Sequence, residues 1–526
     1  MRLIRQFSHS DGQVGRNFAP PSTLSKGLFA VLQGSQMKRG FLQIGPGLMI
    51  ATLLVANTAR SEDLLQVYDM AVINDPQIRE ADATRLANRE AKPQAVGTLL
   101  PHLSGNADMG RNWTDGNSTS SFLLNGVIVP SISDTSNVND SKDWGFSLRQ
   151  NVFSWQNWVA LRSASHEVAQ AEADYIVAQQ SLAQRVSSQY FAVLSAIDNI
   201  EALESARVAI SRQLDQAERR FEVGLIAITD VQDSRAARDQ AAAAVIEAKR
   251  ALSTQIELLR VIIGDKPERL TKPGDDMPLQ APAPADEEQW VKMSMDQNSS
   301  LLSSRLQADI ARDTVSSAFG GHLPTVDFVA GRTYSNREGD ATYRTPTGNQ
   351  LTFNDSESYG KSVALQLTMP IFDGGTTSSR VRESQYRWIA AKERLERTSR
   401  ATEGNARDAY QGVNSDIARV EALKNAVASS QTALKAAEAG YEVGTRTTVD
   451  VLTARRNLIQ AQQNYSSARY GYLNNLIRLQ LTAGDLDRAT IESINRWLTI
   501  EVPLTGTTTI PVVVPAAPTP AAPANN

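Results

Sequence analysis

The sequence predicts a mixed α and β fold, mainly α, made of two copies of one unit, each with a pair of strands and a long antiparallel coiled-coil hairpin. Three observations predict it. FEVGLIAITDV at 221–231 returns as YEVGTRTTVDV at 441–451, with Glu, Val, Gly, Asp and Val in the same places. That spacing is far longer than the roughly 20–50 residues of a solenoid unit, so it marks a duplicated domain. Proline is absent from Gln156 to Arg219 and again from Thr376 to Ala439, and both stretches keep a helical pattern. Ahead of each, DWGFSLRQNVFSW (143–155) and YGKSVALQLTMPIFDGG (359–375) change the apolar period to two.

Composition sets outer limits. The 526 residues are 41% hydrophobic but only 6% aromatic, so the chain is long enough for several domains yet poor in large core side chains. With 53 basic and 57 acidic residues the net charge is -4, which gives no basic surface to argue for nucleic acid. There is no cysteine, hence no disulfide, thiolate metal site or acylated cysteine.

In chain order, residues 1–59 read as a leader. Lys38 and Arg39 precede FLQIGPGLMIATLLVAN, and small residues follow from Ala56 to Ala59, the order of a secretory signal with cleavage near Ala59 and an alternative start at Met37. Gly45, Pro46 and Gly47 interrupt the run, and about 17 apolar positions are marginal for a span.

The first unit is placed at 60–263 and the second at 290–484. Each opens with a helical pattern, at 68–91 and 290–318, that stops at a Leu-Pro (Leu100–Pro101, Leu323–Pro324), where the ring cannot continue a helix. Extended segments follow. Trp144, Phe146 and Leu148 share one face of a strand, as do Val363, Leu365, Leu367 and Met369. Each pair is expected as strands of about ten residues joined by a polar loop of about 25. Four such strands fit the weak signature of an outer-membrane barrel but cannot close a cylinder, so they pack on something else or several chains share one barrel.

The long helices would each run about 90 Å. Val420, Leu423, Val427, Ser430, Leu434, Ala437 and Tyr441 step by three and four, and Leu458, Ala461, Tyr465, Ala468, Tyr472, Asn475 and Leu479 do so after the turn. This is a coiled-coil seam, with the return helices at 228–262 and 447–482. Gly224 and Gly444 end the outgoing helices, where a left-handed backbone favours glycine. Thr229, or Thr447/Thr448, with Asp230 or Asp450, is placed to cap the return. The repeated stretch is therefore a hairpin tip, and Tyr441 and Arg446 stand there where the first copy has Phe221 and Ile226. Residues 264–289 form a Pro-rich linker, 485–502 hold a short helix, and 503–526 are a Pro/Ala-rich tail expected to be disordered.

FEVGLIAITDV, YEVGTRTTVDV, GHLPTVDF (321–328) and PIFDGG (370–375) together resemble the TolC family of outer-membrane efflux channels, over about residues 62–500. The resemblance implies a homotrimer whose twelve strands close one barrel in outer-membrane lipid of a Gram-negative bacterium, above a periplasmic tunnel of twelve helices. It implies that 264–289 and 485–502 form a belt around the tunnel. It also implies an entrance latch of Thr229 and Asp230 on one hairpin with Tyr441 and Arg446 on the other, opened by untwisting of the tips. Asp450 matches an acidic ring at the constriction, where many relatives carry a second acid one turn later. Here that position is Thr453, which weakens the ring, with Asp233 of the first copy in partial compensation. The bland readings are a cap for Asp230 and a first-turn acid on the helix dipole for Asp450.

No catalytic chemistry stands out. His9, His102, His166 and His322 are scattered, with His102 and His322 at matching places beside the Leu-Pro breaks, so no metal or cofactor is expected. GxSxG, Walker and HExxH motifs are missing. With the resemblance, this implies no enzyme but a passive duct, driven through a periplasmic adaptor (membrane fusion protein) by an inner-membrane pump of RND or ABC type, exporting drugs or proteins by tripartite efflux or type I secretion. The alternative is a periplasmic coiled-coil adaptor or structural protein without membrane strands.

Overall fold

The computed structural model describes residues 62–504, apart from Asp275 and residues 346–347. The expected leader and nearly all of the expected tail lie outside them. Three short helices open the described residues: α1 (Leu64–Asn74), α2 (Pro76–Arg89) and α3 (Ala91–Gly97). Asp63 and Asp75 cap the first two, and Pro76 takes the first position of α2, where no N–H is needed. After Pro101 come β1 (His102–Leu124) and β2 (Val127–Phe153), then α4 (Trp155–Glu222) and its return α5 (Ile228–Ile263). A short strand β3 (Arg269–Pro273) leads through the linker into α6 (Glu287–Gln297) and α7 (Ser299–Phe319). The second unit repeats the order with β4 (Thr325–Thr345), β5 (Gly348–Thr368), α8 (Thr376–Glu442) and α9 (Thr448–Ala483), closing with α10 (Arg488–Asn495) and β6 (Leu498–Pro503).

The helices match the proline-free stretches. α4 has 68 residues and α8 has 67, each about 100 Å of rod. The seam read from the sequence faces inward: Val420, Leu434, Ala461, Ala468, Tyr472 and Leu479 are buried. The duplication reaches fine detail. Gly264 and Gly484 end the two return helices at φ +81° and +83°. Beside them, Asn74 donates to the Ile263 carbonyl at 2.8 Å and Asn298 to the Thr482 carbonyl at 3.0 Å.

Gly484 cannot take a side chain without movement, because a Cβ there would lie 2.6 Å from the Gln297 carbonyl oxygen. Gly224 also has positive φ, but open space around it. Gly224→Ala should lose only the left-handed backbone preference, about 1 kcal/mol. Gly484→Ala should lose more, visible as a larger drop in thermal midpoint of the detergent-solubilised protein.

β1, β2, β4 and β5 form one antiparallel sheet in the order β1-β2-β4-β5. These strands hold 23, 27, 21 and 21 residues, not the expected ten. The expected long loop of the first pair does not exist: its Ser/Asn/Thr-rich sequence continues the ladder to a tight turn at Asn125-Gly126, both at positive φ. Register and alternation divide the sheet into two faces. Leu103, Phe146, Trp144, Phe328, Tyr334, Val363, Leu365 and Leu367 line one, while Ser104, Asn106, Ser147, Gly331, Thr333 and Ser362 line the other. The apolar face is exposed in the single chain, with Leu103, Val363 and Leu367 at 72%, 74% and 66%. β1 and β5 are left as free edges among the described residues.

The hydrophobic core lies at the middle of the helical rods. Tyr190, Phe191, Leu194, Ile256 and Leu259 of the first hairpin meet Tyr472, Leu473 and Ile477 of the second, with Leu64, Leu270, Trp290, Ile491 and Ile494 from the connecting segments. β3 and β6 pair antiparallel over this core, which neither the Pro-rich linker nor the C-terminal segment foretold. Pro503 closes β6 and Leu504 is buried, so these two residues, expected in the disordered tail, belong to the fold.

Candidate functional site: the hairpin tips

Both outgoing helices end the same way. At the first tip Gly224 sits at φ +75°, its N–H donates to the Phe221 carbonyl, and the Leu225 N–H reaches back to the Arg220 carbonyl at 2.8 Å. At the second, Gly444 sits at φ +79° and the Thr445 N–H donates to the Gly440 carbonyl at 2.8 Å. This is the double-bonded glycine stop expected of a helix C-terminus.

The return helices start differently. Thr447 caps α9 in a reciprocal box: its hydroxyl oxygen accepts from the Asp450 N–H at 3.2 Å, and its own N–H donates to the Asp450 carboxylate at 2.9 Å. In the first copy the cap position is Ala227, which has no side-chain oxygen. Thr229 and Asp230 therefore lie inside the first turn of α5, and the expected Thr229/Asp230 cap does not form. Asp230 is left as a first-turn acid complementing the helix dipole.

Each hairpin is braced one level up by an ion pair, Glu218–Arg235 in the first and Glu438–Arg455 in the second, at duplicated positions. The two tips also touch. The Arg220 guanidinium lies over the Tyr441 ring, 4.8 Å from its centroid, a cation–π contact. The Tyr441 phenol oxygen is shielded and has no hydrogen-bond partner among the described residues. Arg446 is exposed at its head, while its stem folds over Gly440, where an added Cβ would lie 2.7 Å from Arg446 Cγ. Inside one protomer no hydrogen bond or ion pair among the described residues joins Thr229 or Asp230 to Tyr441 or Arg446. Asp230 is half-buried; Thr229 and Asp233 are exposed.

Asp450 is partly committed. The backbone N–H and hydroxyl of Thr447 hold its carboxyl below the usual carboxylate range, with the Arg446 charge adding to the effect. Thr453 is exposed and accepts a long contact from Arg456 at 3.5 Å. Among the described residues no group of three or more His, Asp or Glu side chains is placed to hold a metal ion. His322 sits in the turn before β4, against Phe319, and His102 opens β1, so both mark the join between sheet and helices.

Sequence reasoning missed two features here. Arg220 acts only once the hairpins lie side by side, which no local pattern reveals. Val223, Leu225 and Val443 are exposed at 69%, 72% and 75%, and apolar side chains crowded at a tip are the usual mark of a surface that meets another protein.

Comparison with known proteins agrees with this architecture. The chain matches the family described as outer membrane efflux protein over residues 67–265 and 290–485. It is 33% identical over 440 residues to the outer membrane protein TolC of Vibrio cholerae, covering 84% of this chain and 94% of that one. It is 26% identical over 449 residues to the alkaline protease secretion protein AprF of Pseudomonas aeruginosa, covering 84% and 88%. Among solved structures, the CmeC outer membrane channel of Campylobacter jejuni superposes with a TM-score of 0.62 at 17% identity, over 83% of this chain and 90% of that one, which shows the shared fold. Two matched repeats over most of the chain, a two-faced sheet and two helical hairpins, each with one arm of about 100 Å, lead to one assignment: this chain belongs to the outer membrane efflux protein family, an efflux and secretion channel of the Gram-negative outer membrane with a large periplasmic part.

Proposed function

We propose that three copies of this chain form one passive duct, in which twelve strands close a barrel and the helical hairpins continue it as a tunnel toward the inner membrane. One observation carries the reading: a four-stranded sheet with an exposed apolar face and two free edges sits on a chain whose hairpins are far longer than any core requires. Lipid covers the apolar face, and neighbouring copies satisfy the β1 and β5 edges, since unpaired strand edges do not persist in hydrocarbon.

The tips are the regulated end. Exposed Arg446 of one protomer reaches Asp230 and Thr229 of its neighbour, while Tyr441 is clamped by Arg220 within its own protomer. The apolar trio Val223, Leu225 and Val443 receives a periplasmic adaptor, which couples the duct to an inner-membrane pump of RND or ABC type and untwists the tips. Asp450 and Asp233 ring the constriction, and one Asp450 oxygen stays free of the cap. The relatives are channel proteins, and the duct itself performs no reaction. A free-standing periplasmic adaptor would have no use for the lipid-facing sheet, and the comparisons give that alternative no support.

Purified protein in planar lipid bilayers should conduct ions in discrete steps and behave in detergent as an assembly of three chains. A monomer that stays soluble without detergent and carries no current would end the reading.

A further inference from the structure

The apolar face of the sheet contains one row that does not belong there. Arg332 of β4 stands directly opposite Lys361 of β5, and by register both share the face of Phe328, Tyr334, Val363 and Leu365. Like charges placed opposite each other across strands repel, and a cation on the lipid side of a barrel is unfavourable away from the interface. Both side chains are exposed, and among the described residues neither has a hydrogen bond or ion pair.

Their depth gives the row meaning. One step further from the helices lies a belt of rings: Trp144 stacks on Tyr334 at 5.6 Å, and Tyr334 meets Tyr359 at 5.1 Å. Aromatic belts sit at the level of lipid headgroups. Because α4 and α8 leave the sheet at its opposite, periplasmic end, this belt belongs to the outer leaflet. Beyond it, toward the strand tips, cations on the same face are matched by acids of the protein. Arg111 pairs with Asp140, and Lys142 lies 3.9 Å from Glu338. Among the described residues of this face, only the row on the lipid side of the belt places two cations together with no acid to meet them.

We propose that Arg332 and Lys361 form a binding site for a phosphate group of an outer-leaflet lipid, one site per protomer. The stems of both side chains extend along the apolar face and carry their charges up to the ring belt. There the planar guanidinium of Arg332 binds two phosphate oxygens and the Lys361 ammonium supplies a second positive charge. The repulsion between the two cations, unfavourable in the empty site, becomes the source of its preference for a multiply charged anion. Trp144, Tyr334 and Tyr359 flank the headgroup, and Phe328, Val363 and Leu365 meet the acyl chains. The lipid is thereby held at a fixed height on the barrel wall, outside the lumen.

The test uses the intact detergent-purified assembly and native mass spectrometry. The probes are lipid A, a bisphosphorylated acylated glucosamine disaccharide, its chemically dephosphorylated form, and inorganic phosphate as competitor. The phosphorylated lipid should be retained at least about tenfold better than the dephosphorylated one, as expected for loss of a charge-assisted contact. Arg332→Gln with Lys361→Gln should abolish that preference, and Arg332→Lys should keep most of it. The double variant should also conduct in planar bilayers as the parent does, because both residues face away from the lumen. Equal retention of the two lipids by the parent protein would overturn the proposal, as would an undiminished preference in the double variant. Full displacement of the lipid by millimolar phosphate would also overturn it, since that would mark a site for free anions. If the double variant does not assemble, the comparison of the two lipids on the parent protein decides alone.

Discussion

Combining Tyr441→Phe with Arg446→Ser is expected to raise single-channel conductance several-fold in planar bilayers. Arg446 is exposed at the second tip, and the Asp230 carboxylate has no partner among the described residues of its own protomer. A solvent-exposed pair of this kind contributes about 0.2–1 kcal/mol. Three such links around a threefold entrance add to roughly 0.6–3 kcal/mol, enough to shift the ratio of open to shut forms by about 3- to 150-fold. Tyr441→Phe alone should do less, since the ring that lies under Arg220 remains and only the phenol oxygen is lost. Arg220→Ala removes that ring contact, worth about 0.5–2 kcal/mol, and should add to the effect of Arg446→Ser. If conductance stays at the parent value in the double variant and in the Arg220→Ala, Arg446→Ser combination, the tips are not the latch.

Tyr190→Ala is expected to lower stability more than any other single change considered. Tyr190 is fully buried in α4, packed edge-on against Phe191. Its hydroxyl donates to the Thr271 carbonyl at 2.8 Å and accepts from the Thr271 N–H at 2.9 Å, tying β3 to the long helix. Loss of the ring should remove about 3–5 kcal/mol, and the buried Thr271 N–H, left without an acceptor, about 1–3 more. Tyr190→Phe separates the two, because it keeps the ring and should show only the smaller loss. Denaturant unfolding of the detergent-solubilised protein, followed by circular dichroism, measures both. Equal stabilities for the Phe and Ala variants would mean that the ring contributes nothing, against the packing described above.

The long helices were legible because nothing interrupts them. A proline-free run with a seam such as Val420 to Tyr441 has few other ways to bury its apolar stripe. The hairpin turns were legible because Gly224 and Gly444 are followed by a return helix too soon for any other geometry. The strands were only half legible. Near the helices, alternation between residues such as Phe146 and Ser147 reveals a sheet with a greasy side. Further out, residues 114–121 and 134–143 are almost all polar, with Val138 the lone large apolar residue, so their strand character rests on backbone pairing, which leaves no side-chain period to read. The Asn125-Gly126 turn was the available signal. β3 and β6 stayed hidden because five or six residues, one of them proline at each end of the pairing, carry too little pattern.

At the site, Asp450 was read both as a cap acid and as a ring acid, and its bonds to Thr447 establish the first of these roles directly. The first copy did not follow, because Ala227 occupies the place where Thr447 stands in the second. Arg220 lay beyond any local reading. Its partner, Tyr441, is more than two hundred positions away and comes near only through the packing of one hairpin on the other.

Past the ring of Trp144, Tyr334 and Tyr359, β4 and β5 continue for roughly 35 Å and β1 and β2 for roughly 55 Å, the latter zipped together up to the Asn125-Gly126 turn. In the proposed assembly, what the cell shows to its surroundings is thus a stiff collar rather than a fringe of loose chain. An antibody or a virus particle meeting it would encounter side chains whose spacing the backbone dictates, polar along much of the strands and apolar near the tips at Leu123, Ile128, Leu351 and Phe353, and point changes there would alter its chemistry while leaving its shape intact.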